Sequence, residues 1–214
     1  MAMTTPDASP RSWYDQHVLP YLLDVACGLP VIQSQRRKVV PMAAGRVLEV
    51  GIGTGLNLPF YDRTKVQSLV GVDPAEQMHA LAQKRSERAG LPVELVHLSA
   101  EALPLASASF DSVVCTYTLC SIEDPLAALR EMRRVLKPNG RLLFSEHGLA
   151  PDASVARWQR RLEPYWRQLA GGCRLTRDVP ELLREAGFQT LGSAAYVAWP
   201  KTLGYNYWGE ATVA

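Results

Sequence analysis

Residues 49–57 read E-V-G-I-G-T-G-L-N, so Gly51, Gly53 and Gly55 alternate with side chains directly behind a branched apolar run. Glycines spaced in this way let backbone come close to a ligand. In an open parallel sheet, ligands sit at the carboxyl ends of strands where the winding reverses. A loop directly behind a first strand lies at that place. A phosphate-cradling loop needs G-x-x-x-x-G-K followed by Ser or Thr, and no Lys stands here, which excludes it. A dinucleotide fingerprint needs G-x-G-x-x-G, but its third position falls on Leu56, with Gly55 one place early. The remaining option is an adenosyl ligand with no phosphate to hold. Asp73 closes V-G-V-D at the end of the next apolar run, 18 residues beyond Gly55. A carboxylate there accepts hydrogen bonds from both ribose hydroxyls. Asp73 before Pro74, with Glu76 three residues on, also reads as a helix cap. A carboxylate has two oxygens, so the two roles are compatible.

Other residues could act on an acceptor. His147 ends an apolar run and is an acid/base candidate at a strand's carboxyl end, with a purely structural hydrogen bond as the alternative. Tyr14 and His17 could close over the site from an N-terminal arm. Cys27, Cys115, Cys120 and Cys173 show neither C-x-x-C spacing nor a nearby His pair, so no metal site is expected. Cys120 and Cys173 read mainly as buried space fillers. Arg36, Arg37 and Lys38 form the one tight basic cluster and read as a solvated face. The formal charge of +2, with both signs interspersed, argues against a nucleic-acid partner. No segment approaches the roughly 20 apolar residues that span a bilayer. Met1–Pro10 is polar and unlike a signal peptide or anchor, which leads us to expect a cytoplasmic protein.

These residues need elements to position them, and 214 residues at 47% hydrophobic suffice for a single domain. We divide it into a helical arm (1–44), a ligand-binding core (45–150) and acceptor-side helices with the final strands (151–214). Ser12–Cys27 has helical spacing, with Pro20 kinking it or starting a second helix, and Gly28 ending it. Strands are expected at Arg46–Val50, Ser68–Val72, Val93–Leu98, Phe110–Thr116, Arg141–Glu146, Phe188–Tyr196 and Tyr205–Val213. Helices are expected near Leu56–Tyr61 and at Pro74–Arg88, Asp124–Leu136 and Val155–Ala170, with a further one capped by Asp178. Trp158, Leu162, Tyr165, Trp166 and Leu169 make an aromatic-rich stripe that serves as core or as an apolar acceptor wall. Strands alternating with helices predict an α/β fold around a parallel sheet.

V-L-E-V-G-I-G-T-G, G-V-D-P, A-E-A-L-P, S-F-D-S-V-V and R-V-L-K-P-N-G-R-L-L-F stand in the order and spacing of the class I S-adenosylmethionine-dependent methyltransferases, over about residues 46–147. The chain resembles that family. The resemblance implies a Rossmann-like, doubly wound, mostly parallel seven-stranded sheet and S-adenosylmethionine as cofactor. It implies that Gly51, Gly53 and Gly55 hold the methionine end, with Glu49 ordering the loop or meeting the amino group. Asp73, with Pro74, would hold the ribose and Met78 would pack nearby. Ala100 and Glu101 would flank adenine, and Thr116 and Tyr117 would line the floor. Ser99 departs from the Asp that many relatives carry there and offers a weaker adenine contact.

Residues 114–125, 146–151, 157–166 and 171–178 resemble one branch of the family, which includes animal alkyl-thiol S-methyltransferases. Y-D-x-x-V-L-P-x-L-L-D-x-A-C-G at 14–28 matches bacterial members of that group. The resemblance implies in-line methyl transfer to a small, fairly apolar acceptor, a thiol among the candidates. A thiol of pKa about 8.5 is already a few per cent thiolate at neutral pH. A lipid-like acceptor (a quinone or a phospholipid headgroup) and a non-catalytic cofactor-binding module are the alternatives. The animal members carry an apolar N-terminal membrane anchor that Met1–Pro10 does not match, and peripheral membrane contact stays open.

Overall fold

The computed structural model describes residues 18–213, so Tyr14 and His17 lie outside the described residues. Strands β1 (Gly45–Val50), β2 (Val66–Val72), β3 (Val93–Val96), β4 (Phe110–Thr116), β5 (Leu136–His147), β6 (Phe188–Tyr196) and β7 (Tyr205–Val213) form one sheet in the order β3-β2-β1-β4-β5-β7-β6. β1 to β5 are parallel, while β7 runs antiparallel between β5 and β6. The winding reverses at β1, whose neighbours are β2 and β4. Their carboxyl ends therefore frame the crevice expected of this topology.

The central strands are apolar because both faces are covered. Leu48, Val50, Val113, Cys115, Leu142 and Phe144 share one buried cluster, while Val47, Val114 and Leu143 belong to the other. Helix α1 spans Leu19–Cys27, with Pro20 in its first turn, where no donor is needed, and Gly28 after its end. Helix α2 spans Pro30–Val39 and α3 spans His79–Ala89. Helix α4 (Pro125–Val135) buries Ala128, Leu129, Met132 and Val135, one helical face. Asp124 caps α4 by accepting from the Ala127 amide at 3.0 Å. Helix α5 spans Ala153–Leu169, α6 spans Val179–Glu185 and α7 spans Lys201–Gly204. Asp178 caps α6 through the Glu181 amide at 3.2 Å.

Three expectations are corrected. Leu56–Tyr61 is not a helix beyond a single 3-10 turn at Leu58–Phe60, because Pro59 interrupts the donor series. The helix expected from Pro74 begins at His79 after a 3-10 turn, since the Asp73 carboxylate takes the Ala75 amide at 2.8 Å in a local turn. On α5, Trp158, Tyr165 and Leu169 are more than half exposed and Leu162 is also exposed, so these four are not core, whereas Trp166 is half-buried and reaches Cys173. The buried face of α5 is set instead by Gln159, whose amide group accepts from Ala150 and donates to the carbonyls of Gly148 and Thr202.

Candidate active site

The donor side is built at the ends of β1 and β2. The amides of Gly51 and Ile52 both donate to the Val72 carbonyl, at 2.8 and 3.2 Å, folding the glycine loop back over β2. Gly51 has φ +71°, and a Cβ there would stand 2.2 Å from Thr118 atoms of the turn after β4. Gly53 is different, since a Cβ would meet nothing closer than Met78 Sδ at 3.6 Å and Asp73 Oδ2 at 3.9 Å. The missing side chain leaves a recess bounded by a thioether and a carboxylate, as an adenosyl ligand requires. Asp73 accepts from the Gly53 amide at 2.9 Å and from the Ala75 amide at 2.8 Å. A carboxylate accepts about four hydrogen bonds, so these two orient it and remain compatible with a ribose contact.

Glu49 is fully buried and serves the loop. Asn57 donates to its Oε1 at 3.0 Å and Tyr61 to its Oε2 at 2.7 Å. Burial pushes the Glu49 carboxyl up to about 7, against the lowering influence of Tyr61 and Arg36. Arg36 corrects the reading of its cluster: Arg37 and Lys38 are exposed, but Arg36 is buried and donates to Asn57 Oδ1 at 2.8 Å and Thr116 Oγ1 at 2.5 Å. Its guanidinium also lies 5.2 Å from the centre of the Tyr117 ring. Sequence reasoning missed it because a three-residue basic run conceals that one member points inward along α2. Among the described residues its Nε has no partner.

The arm reaches this side through Asp24. Arg85 binds both Asp24 oxygens, at 2.7 and 2.9 Å, and Thr54 of the glycine loop donates to Oδ1 at 2.5 Å. Arg85 also donates to the Thr54 carbonyl at 2.7 Å. Its hydrogen bonds hold the Asp24 carboxyl below the usual range. Ala100 is buried, and Glu101 accepts from the Ser99 hydroxyl at 2.9 Å and the Asp124 amide at 2.7 Å. Ser99 and Glu101 thus satisfy each other. The Pro74 carbonyl pairs with His97 Nε2 at 2.8 Å.

The acceptor side stands at the ends of β4 and β5. Thr116 joins the Arg36 and Asn57 network. Tyr117 adopts φ +54°, donates its hydroxyl to Asn206 Oδ1 at 2.6 Å, and lies in a stacked orientation over His147, with ring centres 6.5 Å apart. Glu146 is fully buried and accepts from the amides of Thr118 and Leu119, so it holds the turn that presents Cys120. Burial pushes the Glu146 carboxyl up to about 8.

The expected lack of a ligand cluster is overturned. Cys120, His147 and Cys173 converge, with their ligand atoms all within 4.8 Å of one another. His147 Nε2 is 3.0 Å from Cys173 Sγ, and the Trp166 indole donates to the same sulfur at 3.2 Å. The Cys173 loop is fixed to the β4 turn by a 2.9 Å bond from the Arg174 amide to the Cys120 carbonyl. Spacing rules were blind to this group because tertiary topology alone joins its members. The hydrogen bond between the two sulfurs holds the Cys120 thiol well below its usual range and pushes the Cys173 thiol up. Burial would lower His147, but the Cys120 sulfur and Glu146 more than offset it and the imidazole is raised.

Residues 48–144 match the family model described as a methyltransferase domain. Thiol S-methyltransferase TMT1B of Rattus norvegicus is 39% identical over 145 residues, covering 66% of this chain and 59% of the rat protein. The chain thus spans about three-fifths of the length of that relative. Phosphatidylethanolamine N-methyltransferase of Cereibacter sphaeroides is 36% identical over 137 residues, covering 62% of this chain and 66% of that protein. The crystal structure of a SAM-dependent methyltransferase from Thermotoga maritima superposes with a TM-score of 0.66 at 23% identity, covering 94% of this chain and 98% of that one. By sequence match and sheet order together, the chain belongs to the class I S-adenosylmethionine-dependent methyltransferases.

Proposed function

We propose that the protein transfers the methyl group of S-adenosylmethionine to the sulfur of a small, fairly apolar thiol. One observation carries the choice of acceptor. Three stretches that resemble the alkyl-thiol branch, at 114–125, 146–151 and 171–178, lie far apart in sequence but meet at Cys120, His147 and Cys173. The three stretches thus build one surface at the carboxyl ends of β4 and β5, where an acceptor would meet the donor. The thiol S-methyltransferase activity in the name of the rat relative supports the same reading.

Bound S-adenosylmethionine supplies an already activated methyl on a sulfonium. The chain's own residues then orient and exclude. Asp73 holds the ribose, the recess at Gly53 admits the adenosyl group, and Arg36 offers positive charge to the methionine carboxylate. Glu49 keeps the loop in shape through Asn57 and Tyr61. Tyr117 and His147 line the path along which the acceptor sulfur approaches to about 3–3.5 Å from the methyl carbon. We place the enzyme in the cytoplasm; no described helix is long and apolar enough to cross a membrane.

The test is incubation with labelled S-adenosylmethionine and a panel of alkyl thiols, phenols, a demethylated quinone and phosphatidylethanolamine vesicles. Label is expected in the thiols. Label only in the quinone or the lipid would reject the thiol acceptor. His147→Ala is expected to lower turnover about 100-fold or more while calorimetry shows unchanged cofactor affinity.

A further inference from the structure

The meeting of Cys120, His147 and Cys173 has more to it than a wall. The three side chains offer two sulfurs and one ring nitrogen from three separate segments: the turn after β4, the end of β5 and the loop after α5. Zn²⁺ prefers four tetrahedral ligands, with sulfur at about 2.3 Å and imidazole nitrogen at about 2.0–2.1 Å, which places ligand atoms about 3.5–3.8 Å apart. The observed separations run from 3.0 Å for His147 Nε2 to Cys173 Sγ up to the 4.8 Å limit of the group, so they bracket that spacing. Both cysteines are buried, and the Trp166 indole already donates to Cys173 Sγ, the kind of outer hydrogen bond that orients a metal-bound thiolate.

The fourth corner is equally informative. Among the described residues, no further His, Cys, Asp or Glu joins the group. Glu146 is adjacent, but its oxygens accept from the Thr118 and Leu119 amides. Three protein ligands with one position left over is the pattern of a zinc ion that binds substrate; a purely structural zinc is closed by four. Thr118, two residues before Cys120, donates to the Gly51 carbonyl at 3.5 Å, so the turn that carries Cys120 touches the glycine loop.

We propose that Cys120, His147 and Cys173 hold one Zn²⁺ and that its fourth position receives the sulfur of the acceptor thiol, an inference that rests on the thiol reading above. Coordination drives the thiol proton to solvent, since a metal-bound thiol is deprotonated outright. The thiolate sulfur then forms the new bond to the methyl carbon as the methyl–sulfonium bond breaks. The electron pair of that bond stays on the departing adenosyl thioether, and the zinc ion stays divalent throughout. The neutral thioether product is a poorer ligand than a thiolate and leaves. His147 is in this account a ligand, not the proton carrier. Soft alkyl thiols gain from such a site, and hard oxygen acceptors gain little.

The experiment uses the full chain, stripped with a chelator under mild reductant and dialysed against Co²⁺ without any acceptor. One cobalt per chain is expected, with thiolate-to-cobalt absorption in the near ultraviolet and the intense visible bands of a tetrahedral ion. Cys120→Ser and Cys173→Ser should each lose these bands yet retain S-adenosylmethionine affinity by calorimetry, which shows that they are folded. Ethanethiol should shift the visible bands of the parent protein. A weak octahedral-type spectrum, or equal cobalt uptake by both variants, would overturn the metal site. Cobalt bands that ethanethiol does not move, with no thiol methylated, would keep the metal and remove the thiol acceptor. Undiminished thiol methylation by the stripped protein would do the reverse.

Discussion

The two halves of the crevice solve the same problem with different materials. At the ends of β1 and β2, the glycine loop, Asn57, Asp73 and Met78 lie within 30 residues of Glu49. At the ends of β4 and β5, Tyr117, Cys120, His147, Trp166 and Cys173 come from segments separated by up to 27 residues from one to the next. Each half has one fully buried glutamate that organises a loop. Glu49 does so through the side chains of Asn57 and Tyr61, and Glu146 through the bare amides of Thr118 and Leu119. The difference teaches why cofactor recognition travels as a motif and acceptor recognition does not. A recess for backbone contact is a local property of the chain, whereas a cluster of sulfurs and imidazole needs the sheet to bring it together.

The most severe way to break the distinction is Gly51→Ala. The new Cβ would meet Thr118 at 2.2 Å in a left-handed backbone, disturbing both loops at once. The left-handed penalty of about 1–2 kcal/mol and overpacking of about 1–3 kcal/mol add to a marked fall in melting temperature with loss of cofactor binding. Asp73→Ala should act on the donor half alone, weakening cofactor binding by about 1.5–3 kcal/mol in calorimetry while cobalt spectra of the cysteine cluster stay the same. Unchanged affinity would reduce Asp73 to a turn former.

Glu49 sharpens the comparison by pH. Its folded pKa of about 7 lies above the ordinary 4.5, so its contribution is fully present below pH 4.5 and is lost as pH rises through 7. Glu49→Gln should therefore flatten the fall in stability over that window by about 3 kcal/mol, read as melting temperature against pH. A slope equal to that of the parent would place the titration elsewhere. The smallest effect is expected from Asp24→Ala, about 1 kcal/mol and weaker in high salt, because the pair it forms with Arg85 is partly exposed, at 21% and 25% of their side chains. Its KM for the cofactor should rise more than its kcat falls.

Much of the scaffold was legible. The apolar runs V-L-E-V and F-D-S-V-V-C-T became central strands, Asp124 and Asp178 capped the helices they precede, and Phe188–Tyr196 and Tyr205–Val213 were placed to the residue. Failures fell where side chains took over from backbone pattern. Asp73 spent its carboxylate on Ala75 and delayed a helix, and Pro59 stopped another. Helical spacing on α5 was correct, but it could not reveal that Gln159 anchors the buried face and leaves Trp158 and Tyr165 exposed. Arg36 was misjudged because charge names a residue, but only packing says which partner it meets.

The backbone at Tyr117 deserves a last consequence. An L-residue at φ +54° costs roughly 1–2 kcal/mol, and neighbours restrain it through the Ser145 carbonyl and the Asn206 amide group. A glycine would relax there, but it would remove the ring that meets both Arg36 and His147. Backbone relaxation and retention of the ring contacts thus pull in opposite directions at one position, and selection for heat resistance alone would favour losing that ring.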